Sequence, residues 1–258
     1  MSAVLYAILS VVVVSLVSLI GAASFFIKLA ESHRFLLVMV SLSAGTLFGG
    51  AFLHLLPEAV DRLGFGLQVS LLLLAGVLVF FILDKFIHWR HCHHHVSRHH
   101  GSEKDHEHIF PPQIALLNIA GDAVHNFLDG LVIAGSYLVS IPTGIATTAA
   151  VIFHEVPQEM ADFGVLLYSG WSKKKALLLN FLSGAVAIAG VVIGLVFASK
   201  SDMFISIILP FAAGGFVYIA GSNLIPELHK TCDMKDSYWH FLALIAGIGL
   251  MIGLRFLG

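Results

Sequence analysis

Apolar runs near or above the roughly 20 residues a helix needs to cross a bilayer recur eight times in this chain. They fall at about 3–27, 35–56, 67–87, 112–139, 143–168, 174–198, 204–226 and 239–257. In hydrocarbon the backbone must satisfy its own hydrogen bonds, which leaves only helices or closed barrels. The runs are continuous rather than alternating, so they predict helices. Composition agrees: 58% of residues are hydrophobic and 12% charged, against about 45–50% and about 25% in soluble domains. The expected fold is an all-α integral membrane protein with eight transmembrane helices, one domain over 1–258 with no separate soluble unit. A net charge of −2 and the lack of a basic stripe give no reason to expect a nucleic-acid partner.

Eight spans put both termini on one side of the bilayer. With the termini outside, inner segments carry Lys28, Arg34, Lys85, Arg90, Arg98, Lys104, Lys173, Lys174, Lys175, Lys230 and Lys235. Outer segments then carry only Arg62, Lys200 and Arg255, and the positive-inside rule favours that orientation. Cys92 and Cys232 fall on the inner side, so no disulfide is expected. Met1 to Val4 has no basic residue and the run from Ala3 to Ile27 is long enough to span, which favours a retained helix over a cleaved signal peptide.

An internal repeat supports the layout. Ser43 to Glu58, ending Leu53-His54-Leu55-Leu56-Pro57-Glu58, aligns without gaps on Ala212 to Glu227, ending Ser222-Asn223-Leu224-Ile225-Pro226-Glu227. Spans 1–3 then correspond to spans 6–8, with spans 4 and 5 between them. That 3+2+3 arrangement is an inverted repeat, an architecture common among secondary transporters.

Spans 4 and 5 carry what hydrocarbon disfavours. His125-Asn126-Phe127-Leu128-Asp129-Gly130 and His154-Glu155-Val156-Pro157-Gln158-Glu159-Met160-Ala161-Asp162, with Asp122, place five acids and two histidines in apolar surroundings. One Asp at a helix centre costs roughly 2.5–3.5 kcal/mol to insert, so five carboxyls amount to a nominal penalty on the order of 10 kcal/mol unless a cation, water or each other compensates them. At about 100° per residue, Asp122, His125, Asn126 and Asp129 share an arc of about 100°, and His154, Glu155, Gln158, Glu159 and Asp162 one of about 140°. The short connection at Ser140-Ile141-Pro142 makes the two helices antiparallel neighbours, so the arcs meet near mid-membrane. Imidazole and carboxylate without thiolate suit zinc and other divalent first-row ions. Pro157 also leaves the carbonyl of Phe153 without its helical donor and is expected to kink span 5.

HNFLDG followed by HEVPQEMAD resembles the signature of the ZIP family of metal transporters, closest to the branch with HNFxDG and HExPHExxD. Gly45 to Pro57 and Phe211 to Pro226 also match that branch, and the similarity covers essentially the whole chain. By that resemblance His125, Asn126, Asp129, His154, Glu155 and Gln158 occupy metal positions. Asp122, Glu159 and Asp162 join them as candidates from the arcs. The resemblance implies transport of divalent metal, chiefly Zn²⁺, towards the cytoplasm, without enzymatic activity or organic cofactor, by a homodimer. A plasma-membrane location is expected. His154 tilts the preference towards zinc over Cd²⁺, Fe²⁺ and Mn²⁺. Gln158 departs from the branch, which has His there, as other branches have Glu. With no bridging carboxylate at that position, one well-occupied metal is expected.

His54 and Glu58 at the outer end of span 2, and Asn223, Glu227 and His229 at the inner end of span 7, are candidate gates. The segment 88–111 is expected to be a flexible cytoplasmic loop, with His91, His93, His94, His95, His99 and His100 as accessory zinc ligands for buffering or sensing. The competing readings are an intramembrane zinc-dependent enzyme, disfavoured because HExxH is absent, and a haem-binding redox protein, disfavoured by the surrounding acids.

Overall fold

The apolar runs fold as helices. The computed structural model describes residues 2–24, 33–93, 112–198, 202–229 and 234–256. In chain order these form α1 (Ala3–Ser24), α2 (His33–Gly49), a π-helical turn (Gly50–Leu55), α3 (Leu56–Leu63), α4 (Leu67–His93), α5 (Pro112–Val139), α6 (Ile141–Tyr168), α7 (Lys173–Ala198), α8 (Asp202–Tyr218), a second π-helical turn (Ile219–Leu224), α9 (Ile225–Leu228) and α10 (Met234–Arg255). Among the described residues, five continuous segments are long and apolar enough to cross a membrane: Arg34–Leu63, Leu67–Lys85, Lys173–Phe197, Asp202–Leu228 and Met234–Arg255. A shorter apolar stretch covers 3–19. The two long helices outside that set, α5 and α6, are those that carry the acids and histidines.

The π turns trace to proline. Pro57 and Pro226 have no N–H to return to the preceding turn, and each follows a widened stretch in which bonds run to the fifth residue. The Leu56 N–H donates to the Ala51 carbonyl, and the Ile225 N–H to the Ala220 carbonyl. The alignment of Ser43–Glu58 with Ala212–Glu227 carries α2 onto α8 and one π turn onto the other, boundary for boundary.

Packing follows the same correspondence. α2 packs on α10 while α8 packs on α4, and α1 packs on α6 while α7 packs on α5. Glycines allow the close approach. A Cβ on Gly45 would meet the Leu244 carbonyl, and one on Gly214 the Leu73 carbonyl. Gly76 lies in the same way against Phe211, and Gly247 against Leu42. Leu47, Leu55, Ile133, Leu209 and Phe216 are fully buried in the shared core. Leu71, Leu74 and Leu78 on α4 and Phe241 and Ile245 on α10 face outward, as expected where the surrounding solvent is lipid.

Several expectations change in detail. The rod begun by α2 continues to Leu63, beyond the expected end of span 2. α4 continues through His93, so His91 and His93 lie on a helix rather than in a loop. His94, His95, His99 and His100 lie outside the described residues. α6 starts at Ile141, where the Ser140 hydroxyl accepts from the Thr143 N–H as an N-cap. It runs on through Pro157, and the Phe153 carbonyl accepts a hydrogen bond from the Ser43 hydroxyl of α2.

Candidate metal centre

The two polar arcs face each other between α5 and α6. His125 Nε2 lies 3.1 Å from His154 Nε2, 3.3 Å from Glu155 Oε1 and 3.7 Å from Asp129 Oδ2. His154 Nε2 lies 3.1 Å from Asp129 Oδ2 and 3.4 Å from Glu155 Oε1. One ligand atom from each of the four residues thus falls within 4.8 Å of all the others. Four ligands around zinc at about 2.0–2.1 Å stand about 3.3 Å from one another in a tetrahedron. The measured separations bracket that value.

Neighbours orient this cage. His154 Nδ1 sits 3.0 Å from the Ala150 carbonyl. An N–H at that nitrogen leaves Nε2 with its lone pair directed at the other ligands. Phe80 of α4 meets the His125 ring edge to face, and Phe216 of α8 does so with His154. Asp129 and Glu155 are each 1% exposed, and their facing atoms, Oδ2 and Oε1, have no hydrogen-bond donor. Two buried carboxylate oxygens in that condition are costly unless a cation or proton meets them.

The remaining candidates take other places. Asp122 Oδ1 accepts from the Asn126 amide at 3.1 Å and the Gln158 amide at 3.0 Å. Asn126 and Gln158 therefore direct their nitrogens at Asp122, outside the four-residue cage. Asp122, Glu155 and Glu159 form a second group of close carboxylates that shares Glu155 with the first. Glu159 is also bound by the Asn180 amide of α7, which donates in addition to the Ser18 carbonyl of α1 at 3.2 Å. Asp162 accepts from Asn118 at 2.7 Å, one turn further along both helices. Residue types and spacing pointed to none of Ser43, Asn118, Phe80 and Phe216. Only the packing of separate helices brings them to the site.

A cavity of about 420 Å³ runs from His125 and His154 past Asp122, Gln158, Asn118 and Asp162 to Asp84, Tyr218, Asn223 and Glu227. It follows the halves of α5 and α6 next to the 94–111 connection. Asn223 and Glu227 lie at its mouth, and His229, at the end of α9, is not among its lining residues. At the opposite end of the bundle, His54, Glu58 and Asp61 line a separate pocket of about 260 Å³ with Ser140, Thr143 and Arg255. His54 is buried there, 2.9 Å from the Met251 carbonyl, and Glu58 pairs with Arg62 at 2.9 Å.

The arrangement suits a metal cation. The two imidazoles come from facing helices, with Nε2 atoms 3.1 Å apart and rings at 85°, and leave no slot for a macrocycle between them. Comparison with known proteins agrees. The family model described as ZIP zinc transporter matches residues 1–113 and 89–255. The zinc transporter zipt-7.1 of Caenorhabditis briggsae is 30% identical over 287 residues, covering 88% of this chain and 73% of that protein. The zinc transporter SLC39A7 of Mus musculus is 31% identical over 319 residues, covering 91% and 67%. The ZIP13 homolog of Drosophila melanogaster, also a zinc transporter by name, is 30% identical over 275 residues, covering 84% and 77%. With a matching family model along nearly its whole length and relatives of this similarity, the chain belongs to the ZIP family of zinc transporters.

Proposed function

We propose that this protein carries Zn²⁺ across a membrane towards the cytoplasm through the cage of His125, Asp129, His154 and Glu155. The observation that carries this reading is the spacing of the ligand atoms, 3.1 Å between the two imidazoles and 3.1–3.7 Å from imidazole to carboxylate, which suits one tetrahedral ion. Two imidazoles with two carboxylates hold zinc without the firmness of a thiolate set. Asp122, Gln158 and Asp162 lie on the way out along the cavity. Asn126 acts through Asp122, and Glu159 with Asp122 and Glu155 offers a second, all-carboxylate position of weaker zinc affinity.

The reading includes eight spans in the 3+2+3 inverted arrangement, with both termini outside and the 88–111 segment in the cytoplasm, and the repeat of α2 and its π turn in α8 and its π turn supports it. In that orientation the large cavity faces the cytoplasm, and the conformation is open inward. His54 and Glu58 belong to the outer entrance, Asn223 and Glu227 to the inner exit. The family resemblance favours a homodimer in the plasma membrane, and clustered imidazoles in 88–111 suit zinc buffering beside the exit.

Zinc uptake into vesicles containing the purified protein tests the site. His154→Ala, His125→Ala and Asp129→Ala should each lower the initial rate at least tenfold while the protein stays folded and monodisperse. Replacement of the histidines from His91 to His100 by Ser should leave that rate nearly unchanged. Wild-type uptake by folded His154→Ala would overturn the assignment.

A further inference from the structure

The two ends of the pathway are repeat-related but differ in charge at one matched position. His54, Pro57 and Glu58 in the outer pocket correspond to Asn223, Pro226 and Glu227 at the inner mouth. Of these, His54, Pro57 and Glu58 line their pocket, and Asn223 and Glu227 line theirs. The reciprocal glycine contacts fix the second half of the correspondence. They match Leu73 with Leu244 and Gly76 with Gly247, and the same register places Leu83 on Leu254 and Asp84 on Arg255. Both of those pairs line the two pockets as well. One mouth therefore has a guanidinium where the other has a carboxylate.

We propose that Arg255 sets the affinity of the outer mouth for the incoming divalent cation, making it the weak end of an asymmetric pathway. The guanidinium is held in place by the proline that shapes the π turn. Pro57 has no N–H for the carbonyl a turn back, and Arg255 donates to the Leu53 carbonyl from across the interface. A second guanidinium, Arg62, engages Glu58. At the inner mouth Asp84, which accepts from the Tyr218 hydroxyl at 2.8 Å, lies with Glu227 along the same cavity. In the outer pocket the Arg255 guanidinium thus stands with two carboxylates, Glu58, which is paired with Arg62, and Asp61, whereas the inner cavity is lined by carboxylates and no guanidinium or ammonium among the described residues. Fixed charges drive no net transport, but they divide affinity between the faces. A weak outer mouth passes its ion on instead of retaining it. Because Arg255 is exposed, its effect is screened by salt over about 8–10 Å.

The inference rests on metal passing both pockets, so its test includes a readout that needs no transport. In a chain carrying Cys92→Ser, Cys232→Ser and Thr143→Cys, the thiol in the outer pocket is modified by a cationic and by a neutral methanethiosulfonate. Arg255→Gln keeps an N–H donor for the Leu53 carbonyl while removing the charge. It should raise the cationic-to-neutral rate ratio roughly three- to tenfold, and Arg255→Lys should return it to the parent value. In vesicles Arg255→Gln should lower KM for zinc by a similar factor, with kcat nearly unchanged and a weaker dependence of KM on salt. An unchanged rate ratio in Arg255→Gln would overturn the inference, and so would a changed ratio with an unchanged KM.

Discussion

The chemistry turns on which atom each side chain offers. Residue types and the family resemblance make His125, Asp129, His154 and Glu155 candidate ligands, together with Asn126, Gln158, Glu159, Asp162 and Asp122, and do not single out the four that the structure draws together. They do not reveal that Asn126 and Gln158 turn their amide nitrogens to Asp122, because amide orientation depends on the packed partner, one turn back on the same helix for Asn126 and on the neighbouring helix for Gln158. Gln158 has a consequence for stoichiometry. Its neutral amide cannot offset the repulsion of two dications, whereas Glu155, shared by both groups of close ligands, can contact each ion. We expect one well-occupied zinc and a weaker second. Gln158→Glu should add a carboxylate beside Asp122, raise occupancy of the Asp122–Glu155–Glu159 position and slow release at least severalfold. Zinc content per folded chain, measured at graded free zinc, checks this. No change in stoichiometry or release would count against it.

At the scale of elements, helix positions follow from apolar run length, and boundaries of α5 and α7 lie close to those runs. The π turns and the Ser43 contact do not follow from it. A proline signals a missing donor, but whether the backbone widens, as before Pro57 and Pro226, or a neighbour supplies the bond, as for Phe153, depends on tertiary packing. Small-residue spacing is similarly ambiguous. Gly190 and Gly194 pack against Phe127 and Ala134, while a Cβ on Gly249 or Gly253 meets nothing within 4 Å. Gly214→Val should therefore force α8 off the Leu73 carbonyl and destabilise the protein by about 1–3 kcal/mol or more. Gly249→Ala should be nearly neutral. Thermal unfolding in detergent distinguishes the two, and equal Tm values would contradict the proposed α4–α8 interface.

At the scale of the whole molecule, the repeat places one broken rod, α2 with α3 and α8 with α9, beside each pocket, and the α5–α6 pair between them carries the proposed metal cage. The proposed orientation rests on the lysine and arginine distribution. In intact cells an impermeant thiol reagent should label a cysteine introduced at Ser2 and spare Cys92, whereas labelling of Cys92 would reverse inside and outside. The account depends most on where the ion rests. Zinc-edge anomalous diffraction from wild-type crystals grown at modest zinc concentration tests this directly. The expected result is one strong peak within ligand distance, about 2.0–2.2 Å, of His125 Nε2, His154 Nε2 and the facing oxygens of Asp129 and Glu155. A strongest peak elsewhere, or two peaks of equal height sharing ligands from α5 and α6, would contradict it.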